Sequence, residues 1–151
     1  MKIRDKFKEK TVFSFEVFPP KKNSESYEKL FKTIESLKKY NPDYVVDACD
    51  TIMAKKKIIL SCLKYNINFI SSMGTGNKFH PEMLEICELK KTSYDPLAKV
   101  IRNKFKNEKR KIMVVYSKEE AVKIEDRIPG STSLVPPVAG VMCASYIVND
   151  I

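Results

Sequence analysis

The stretch YVVDACDTIMAKKKIILSCLKYNINFISS, residues 44–72, decides the class of fold. Tyr44-Val45-Val46 opens a strand that runs into Asp47 and Asp50. Over residues 53–65, Ile58, Ile59, Cys62 and Leu63 share one face of a helix, and Lys55, Lys56 and Lys57 read as its solvated face. Asn68 to Ser72 is a second short strand. Parallel neighbours cannot be joined by a hairpin and need a crossover. Strand, helix and strand with short connections therefore predict a parallel sheet.

Working outward, Met73-Gly74-Thr75-Gly76-Asn77 is a loop, Met83 to Leu89 a strand and Ile112 to Tyr116 a compact buried strand. Asp95 before Pro96 marks a helix start, and Leu97, Val100, Ile101 and Phe105 make the stripe of a helix running to Asn107. Residues 117–137 read as a polar loop, and Val138 to Ile151 as an apolar helix too short to span a bilayer. Toward the amino end, Asn41-Pro42 terminates a one-faced helix over Ser24–Tyr40, with Ser24 as its cap. Before it, VFSFEVF (12–18) is a strand stopped by Pro19-Pro20. The expected class is α/β, a partial three-layer (Rossmann-like) parallel sheet with flanking helices.

Composition narrows the chemistry. The chain's 28 Lys and Arg against 19 Asp and Glu leave a formal charge of +9, which attracts phosphate-rich partners or reflects lysine-rich solvated faces. Cys49, Cys62, Cys87 and Cys143 form no C-x-x-C pair, so a structural zinc is not expected, and free thiols suit a reducing cytoplasm. The charged start leads into no apolar run of the kind a signal peptide needs.

In open α/β sheets, ligands sit beyond the carboxyl ends of the strands, which makes Asp47 and Asp50 the first candidates. Their spacing has two readings: one carboxylate holds magnesium while the other caps the helix or orients water, or both are caps and turn formers. Gly74 and Gly76 allow close approach of a backbone or ligand. Lys78 reads either as a phosphate contact or as a solvent-exposed lysine, and His80, before Pro81, as a turn residue. The basic run from Lys99 to Lys111 around Phe105 either tracks nucleic-acid phosphates or is a solvated helix face.

Five blocks, VVDACDT (45–51), ISSMGTGNKF (70–79), LKKTSYDPLAKVIR (89–102), VVYSKE (114–119) and IPGSTSLVPPVAGVMCASYIVNDI (128–151), resemble in order and spacing the ThiF-type, ubiquitin-activating-enzyme-like family. Within it they are similar to the tRNA threonylcarbamoyladenosine dehydratase branch, over about residues 41–151. Members of that branch use ATP to cyclise the threonylcarbamoyl group on adenosine in tRNA. The resemblance implies a ThiF-type adenylating fold, ATP and magnesium as cofactors, tRNA as partner, a homo-oligomer and a cytoplasmic setting without membrane association. It implies that Asp50 is a catalytic and metal-binding carboxylate on the triphosphate side, that Asp47 shapes the same strand end, and that Gly74, Gly76 and Lys78 line the nucleotide. Such enzymes carry a glycine-rich strand-turn-helix ahead of these blocks. Residues 1–40 hold no glycine, so the expectation is a truncated or chimeric form, inactive alone.

SFEVFPPKK (14–22), with the helix to Tyr40, resembles instead the opening of methylenetetrahydrofolate reductase, a flavin-dependent TIM barrel. That resemblance implies Glu16 as a proton donor and FAD as cofactor. The two resemblances divide the chain into residues 1–43, a reductase-like β-α segment, and 44–151, the ThiF-like part. Three readings stand open: an ATP-dependent tRNA dehydratase relic, a flavin reductase fragment, and a non-catalytic module that binds tRNA or a partner through its basic face.

Overall fold

The computed structural model describes Val17, residues 24–123 and residues 129–150. The chain divides into two compact units, Met1–Asn41 and Pro42–Ile151. In the first, α1 (Ser24–Leu37) runs into a single 3-10 turn, Lys38–Tyr40. Asn41 stops it by turning left-handed (φ 47°) and returning its N–H to Lys38 O, a conformation asparagine tolerates better than most residues. Val17 is in no regular element, and the rest of the strand expected at 12–18, Glu16 included, lies outside the described residues.

The second unit contains β1 (Tyr44–Asp47), α2 (Ile52–Tyr65), β2 (Asn68–Ser72), β3 (Leu84–Glu88), α3 (Pro96–Lys104), β4 (Met113–Ser117) and α4 (Val135–Asp150). The sheet order is β1-β2-β4-β3. β1, β2 and β4 are parallel, as expected, but β3 runs antiparallel to β4, so the sheet is mixed rather than all parallel. The cause is the connection after β2. It holds only a 3-10 turn, Pro81–Met83, and no crossover helix. The chain therefore re-enters the sheet at the carboxyl end it has just left, with Leu84 beside Ser117, the last residue of β4.

Alternation along β4 builds two cores. Val114 and Tyr116 face Ile59 and Leu63 of α2 and Ala98 and Ile101 of α3. Val115 and Ile70 face Val135, Ala139 and Cys143 of α4 on the other side. The result is three layers, with α2 and α3 on one face and α4 on the other. Each fully buried Ile, Val or Leu contributes about 1.5–3 kcal/mol to holding them together.

The helix ends are set locally. Asn66, left-handed at φ 53°, closes α2, with Ile67 N–H bonded to Cys62 O and Asn66 N–H to Leu63 O. Asp95 caps α3 as its sequence suggested, its carboxylate accepting from Ala98 N–H at 2.9 Å, with Pro96 in the first turn. α4 begins three residues earlier than Val138. Pro136 and Pro137 occupy its first turn, where no intrahelical N–H is needed, and Thr132 Oγ1 accepts from Val135 N–H at 3.2 Å.

Candidate functional site at the strand tips

β1 ends at Asp47, which is buried, and its carboxylate is fully engaged. Oδ2 accepts from Lys55 Nζ at 2.8 Å and from Ser71 Oγ at 2.6 Å, while Oδ1 accepts from the Cys49 N–H at 3.1 Å and the Cys49 thiol at 2.9 Å. Lys55 Nζ also donates to Ser71 Oγ at 3.1 Å and Ser72 O at 2.7 Å. An ammonium and a carboxylate removed from water are tolerated only when hydrogen bonds satisfy their remaining donors and lone pairs, as these do. The network ties the tip of β1 to the tip of β2 through the first turns of α2. Burial, and then the charge of Asp47, push the Cys49 thiol up to about 12, so it stays a protonated donor rather than a nucleophile.

Lys55 is thus not on the solvated face of α2 with Lys56 and Lys57. Its signal was present in the sequence: positions 55, 58, 59 and 62 repeat at the spacing of the apolar stripe, and Lys55 lies in phase with Ile58, Ile59 and Cys62, all buried.

Asp50 lies three residues past the end of β1 and is exposed. Its only hydrogen bond among the described residues is a long one, 3.5 Å, from Thr51 Oγ1. Thr51 is the N-cap residue of α2 and makes no side-chain cap bond, so neither aspartate caps that helix.

A second network closes the loop after β2. Gly74 N–H donates to Asp95 Oδ2 at 3.0 Å, and Lys78 Nζ donates to Gly74 O at 2.9 Å and lies 3.5 Å from Asp95 Oδ2. Lys78 is only 2 % exposed, so it is not a solvent-exposed lysine. The room left by the glycines is filled by protein: a Cβ on Gly74 would come within 3.3 Å of the Asp95 carboxylate oxygens, and one on Gly76 within 2.8 Å of Pro129. Asn77, at φ 56°, exchanges hydrogen bonds with Gly130. Buried Glu119 accepts from the N–H groups of Phe79 and His80. Sequence reasoning did not single out Ser71, Lys55 or Glu119. Glu119 had no local pattern to betray it, because its partners are backbone groups some forty positions away.

The structure brings Asp47, Lys55 and Ser71 together, and separately Gly74, Lys78 and Asp95. It leaves Asp50 free at the tip. Among the described residues, no three His, Cys, Asp or Glu side chains converge on one point.

Comparison with solved structures shows that this mixed sheet with its flanking helices is a ThiF-like α/β fold. The chain superposes on Escherichia coli TcdA, tRNA N6-threonylcarbamoyladenosine dehydratase in complex with AMP, with a TM-score of 0.70 and 25% identity, covering 79% of this chain and 52% of that one. The same enzyme in complex with ATP gives a TM-score of 0.67 at 22% identity, a likeness of fold alone. Among curated proteins, the tRNA threonylcarbamoyladenosine dehydratase of Bacillus subtilis is 35% identical over 139 residues, covering 80% of this chain and 55% of that one. Dehydratase 2 of Saccharomyces cerevisiae is 40% identical over 83 residues, covering 52% of this chain and 18% of that one. By sequence and by fold, the chain is a relative of the tRNA threonylcarbamoyladenosine dehydratase branch of the ThiF-like proteins. It spans about half the length of the Bacillus and Escherichia proteins. No family model matches it. The likeness of the opening residues to methylenetetrahydrofolate reductase finds no support in these comparisons.

Proposed function

We propose that residues 44–151 supply the strand-tip side of an adenylating nucleotide site, in an ATP-dependent enzyme that dehydrates threonylcarbamoyladenosine in tRNA. One observation carries this reading: the two aspartates divide their labour. Asp47 is buried and holds the tips of β1 and β2, which leaves Asp50, exposed at the same tip, as the carboxylate free to meet a ligand. The relatives solved with AMP and ATP supply the nucleotide.

Magnesium fits Asp50. The ion keeps several waters and takes one or two protein carboxylates beside substrate phosphates, so a single exposed carboxylate is an adequate protein share. Bound there, it would offset the charge of a triphosphate. The chain's own residues do the rest by position. Lys55 and Ser71 hold Asp47, and with it the turn that carries Asp50. Asp95 and Lys78 hold the Gly74–Lys78 loop against α3, giving the site a fixed wall where its contacts cost no rearrangement.

No glycine precedes Gly74, so a phosphate-cradling glycine-rich loop is not found ahead of Asp50, and on this reading the isolated chain does not turn over. The proposal draws the domain boundary at 43/44 and assigns the site to residues 44–151. The outer side of α4, where Val141 and Val148 are exposed and Gly140 has open space around it, is where a second copy would pack. No helix of the described residues is long and apolar enough to cross a membrane, and the reading puts the work in the cytoplasm.

The test is thermal unfolding with and without magnesium-ATP. The full chain is expected to melt higher with nucleotide, the Asp50→Asn protein to show no such rise, and neither to release AMP. An equal rise in Asp50→Asn, or AMP released by the purified chain, overturns the proposal.

A further inference from the structure

The sheet is covered unevenly. α4 lies across β2, β4 and β3, and it reaches β1 through Tyr44, whose ring packs edge to face on Tyr146 and whose hydroxyl donates to Asp150. Val46 is the next residue of β1 on that face, since it stands beside Ile70, which packs against α4. Val46 is 47% exposed, whereas Ile70 is wholly buried. Among the described residues β1 pairs with β2 alone, so its outer edge is one end of the sheet. The two ends differ in charge. β3, at the other end, carries Glu88 and Glu85, the latter ion-paired to Lys118, while Tyr44-Val45-Val46 carries no charge. Charge on an edge strand keeps other strands off, and an uncharged apolar edge invites one.

Handedness says what fits there. From β1 the chain steps to β2 with α2 on one face, and parallel crossovers are right-handed. A strand beyond the free edge that crossed into β1 would step in the same direction and lay its helix on the α2 face, leaving Val46 bare. A parallel strand whose chain steps away from β1 puts its helix on the Val46 face instead. Strand order then reverses beside β1, and such a reversal point, beyond the carboxyl ends of the strands, is where open α/β sheets bind ligands. The helix of that unit starts at the same end of the sheet as Asp50, and a glycine-rich turn ahead of it cradles phosphate with backbone N–H groups. This chain has no glycine before Gly74.

We propose that the free edge of β1 and the bare face around Val46 dock a β-α unit of a separate polypeptide: a parallel strand, a glycine-rich turn and a helix. The nucleotide site is then shared, with Asp50 from this chain and the phosphate-cradling N–H groups from its partner. The choice of that partner rests on the nucleotide reading above. A second copy of this chain does not fit it, because no α-helix follows the Gly74–Gly76 loop.

The test is co-expression of the full chain with the amino-terminal half of the Bacillus subtilis dehydratase as a separate tagged fragment, where the resemblance places the glycine-rich strand-turn-helix. A one-to-one complex is expected to co-purify. In it the β1 amides that do not bond β2 are expected to exchange hydrogen about tenfold more slowly than in the chain alone. Val46→Lys puts a charge on the covered face and is expected to weaken association about tenfold, while Val46→Ile keeps it. Val46→Thr replaces the lysine if circular dichroism shows that variant unfolded. Val100→Lys, at an exposed valine of α3, makes the same change in net charge elsewhere and is expected to leave association within about threefold. No complex, or a complex indifferent to Val46→Lys, overturns the inference. So does slow exchange of those amides in the chain alone, which means that the edge is already filled, by a second copy if protection rises with concentration and by the chain itself if it does not. The magnesium-ATP melting shift separates the two proposals. Its survival without a complex sinks the shared site alone, and its absence beside a Val46-dependent complex sinks the nucleotide reading alone.

Discussion

The second unit buries two lysine–aspartate pairs, Lys55–Asp47 and Lys78–Asp95, and they do different things. In the first the charges meet at 2.8 Å, both side chains are wholly buried, and every partner belongs to β1, α2, β2 or the turn between them. In the second the charges stand 3.5 Å apart. There the aspartate is shared among a loop glycine, the first turn of α3 and the lysine. It also follows a strained turn: Tyr94 sits at φ 54°, and the Asp95 N–H closes back on Ser93 O at 2.6 Å. The first pair is part of the core, and the second is a clasp that holds a loop onto it.

The sharpest way to break that distinction is Lys55→Met. It leaves the Asp47 charge buried without a counter-ion and is expected to cost about 3–5 kcal/mol in urea unfolding. Adding Asp47→Asn should return part of the loss, because the orphan charge is then gone. Lys78→Met is expected to cost less, about 1–3 kcal/mol, since Asp95 keeps the N–H groups of Gly74 and Ala98. Equal losses for the two lysines would mean that the loop is as integral to the core as the strand tips are.

The same contrast explains what could be read in advance. The three-layer α/β class, the β1-α2-β2 unit and the Asp95-Pro96 helix start are local or periodic signals, and residues 44–72 carry most of them. The reversal of β3 was not legible, because it depends on where the chain re-enters the sheet and leaves no mark on the strand's own residues. Lys55 was legible in phase and hidden by composition: three consecutive lysines look alike until the helix stripe is counted through them. Lys78 was noticed but its burial was hidden, because it bonds a carbonyl and a carboxylate fixed by the loop's path, and Glu119 was hidden altogether, because it bonds backbone N–H groups across the loop.

A third test probes how dry the cores around the first pair are. Burial, followed by the charge of Asp47, pushes Cys62 up to about 12, and burial pushes Cys143 up to about 11. Raised values mean that the folded state favours the protonated thiol. Their contribution is therefore whole below the ordinary thiol range near 9 and is lost as pH rises from there through 11 to 12. Stability should hold level through neutrality and fall on the alkaline side, and Cys62→Ala with Cys143→Ala should flatten that fall. An unchanged alkaline slope in the double variant would show that water reaches both sites.

The smallest expected effect on stability is the most informative about function. Asp50→Asn removes a charge that is exposed and holds nothing but a long bond from Thr51, so unfolding free energy should move by no more than about 0.5 kcal/mol. The same substitution at Asp47, three residues earlier, should be far more costly, because an amide cannot serve as counter-ion to Lys55. A carboxylate with no structural employment, placed by a buried neighbour that has nothing but structural employment, is what a ligand site requires: the scaffold keeps its shape when the ligand leaves. If Asp50→Asn proves as destabilising as Asp47→Asn, then Asp50 belongs to the fold, and the case for a nucleotide-facing carboxylate loses its footing.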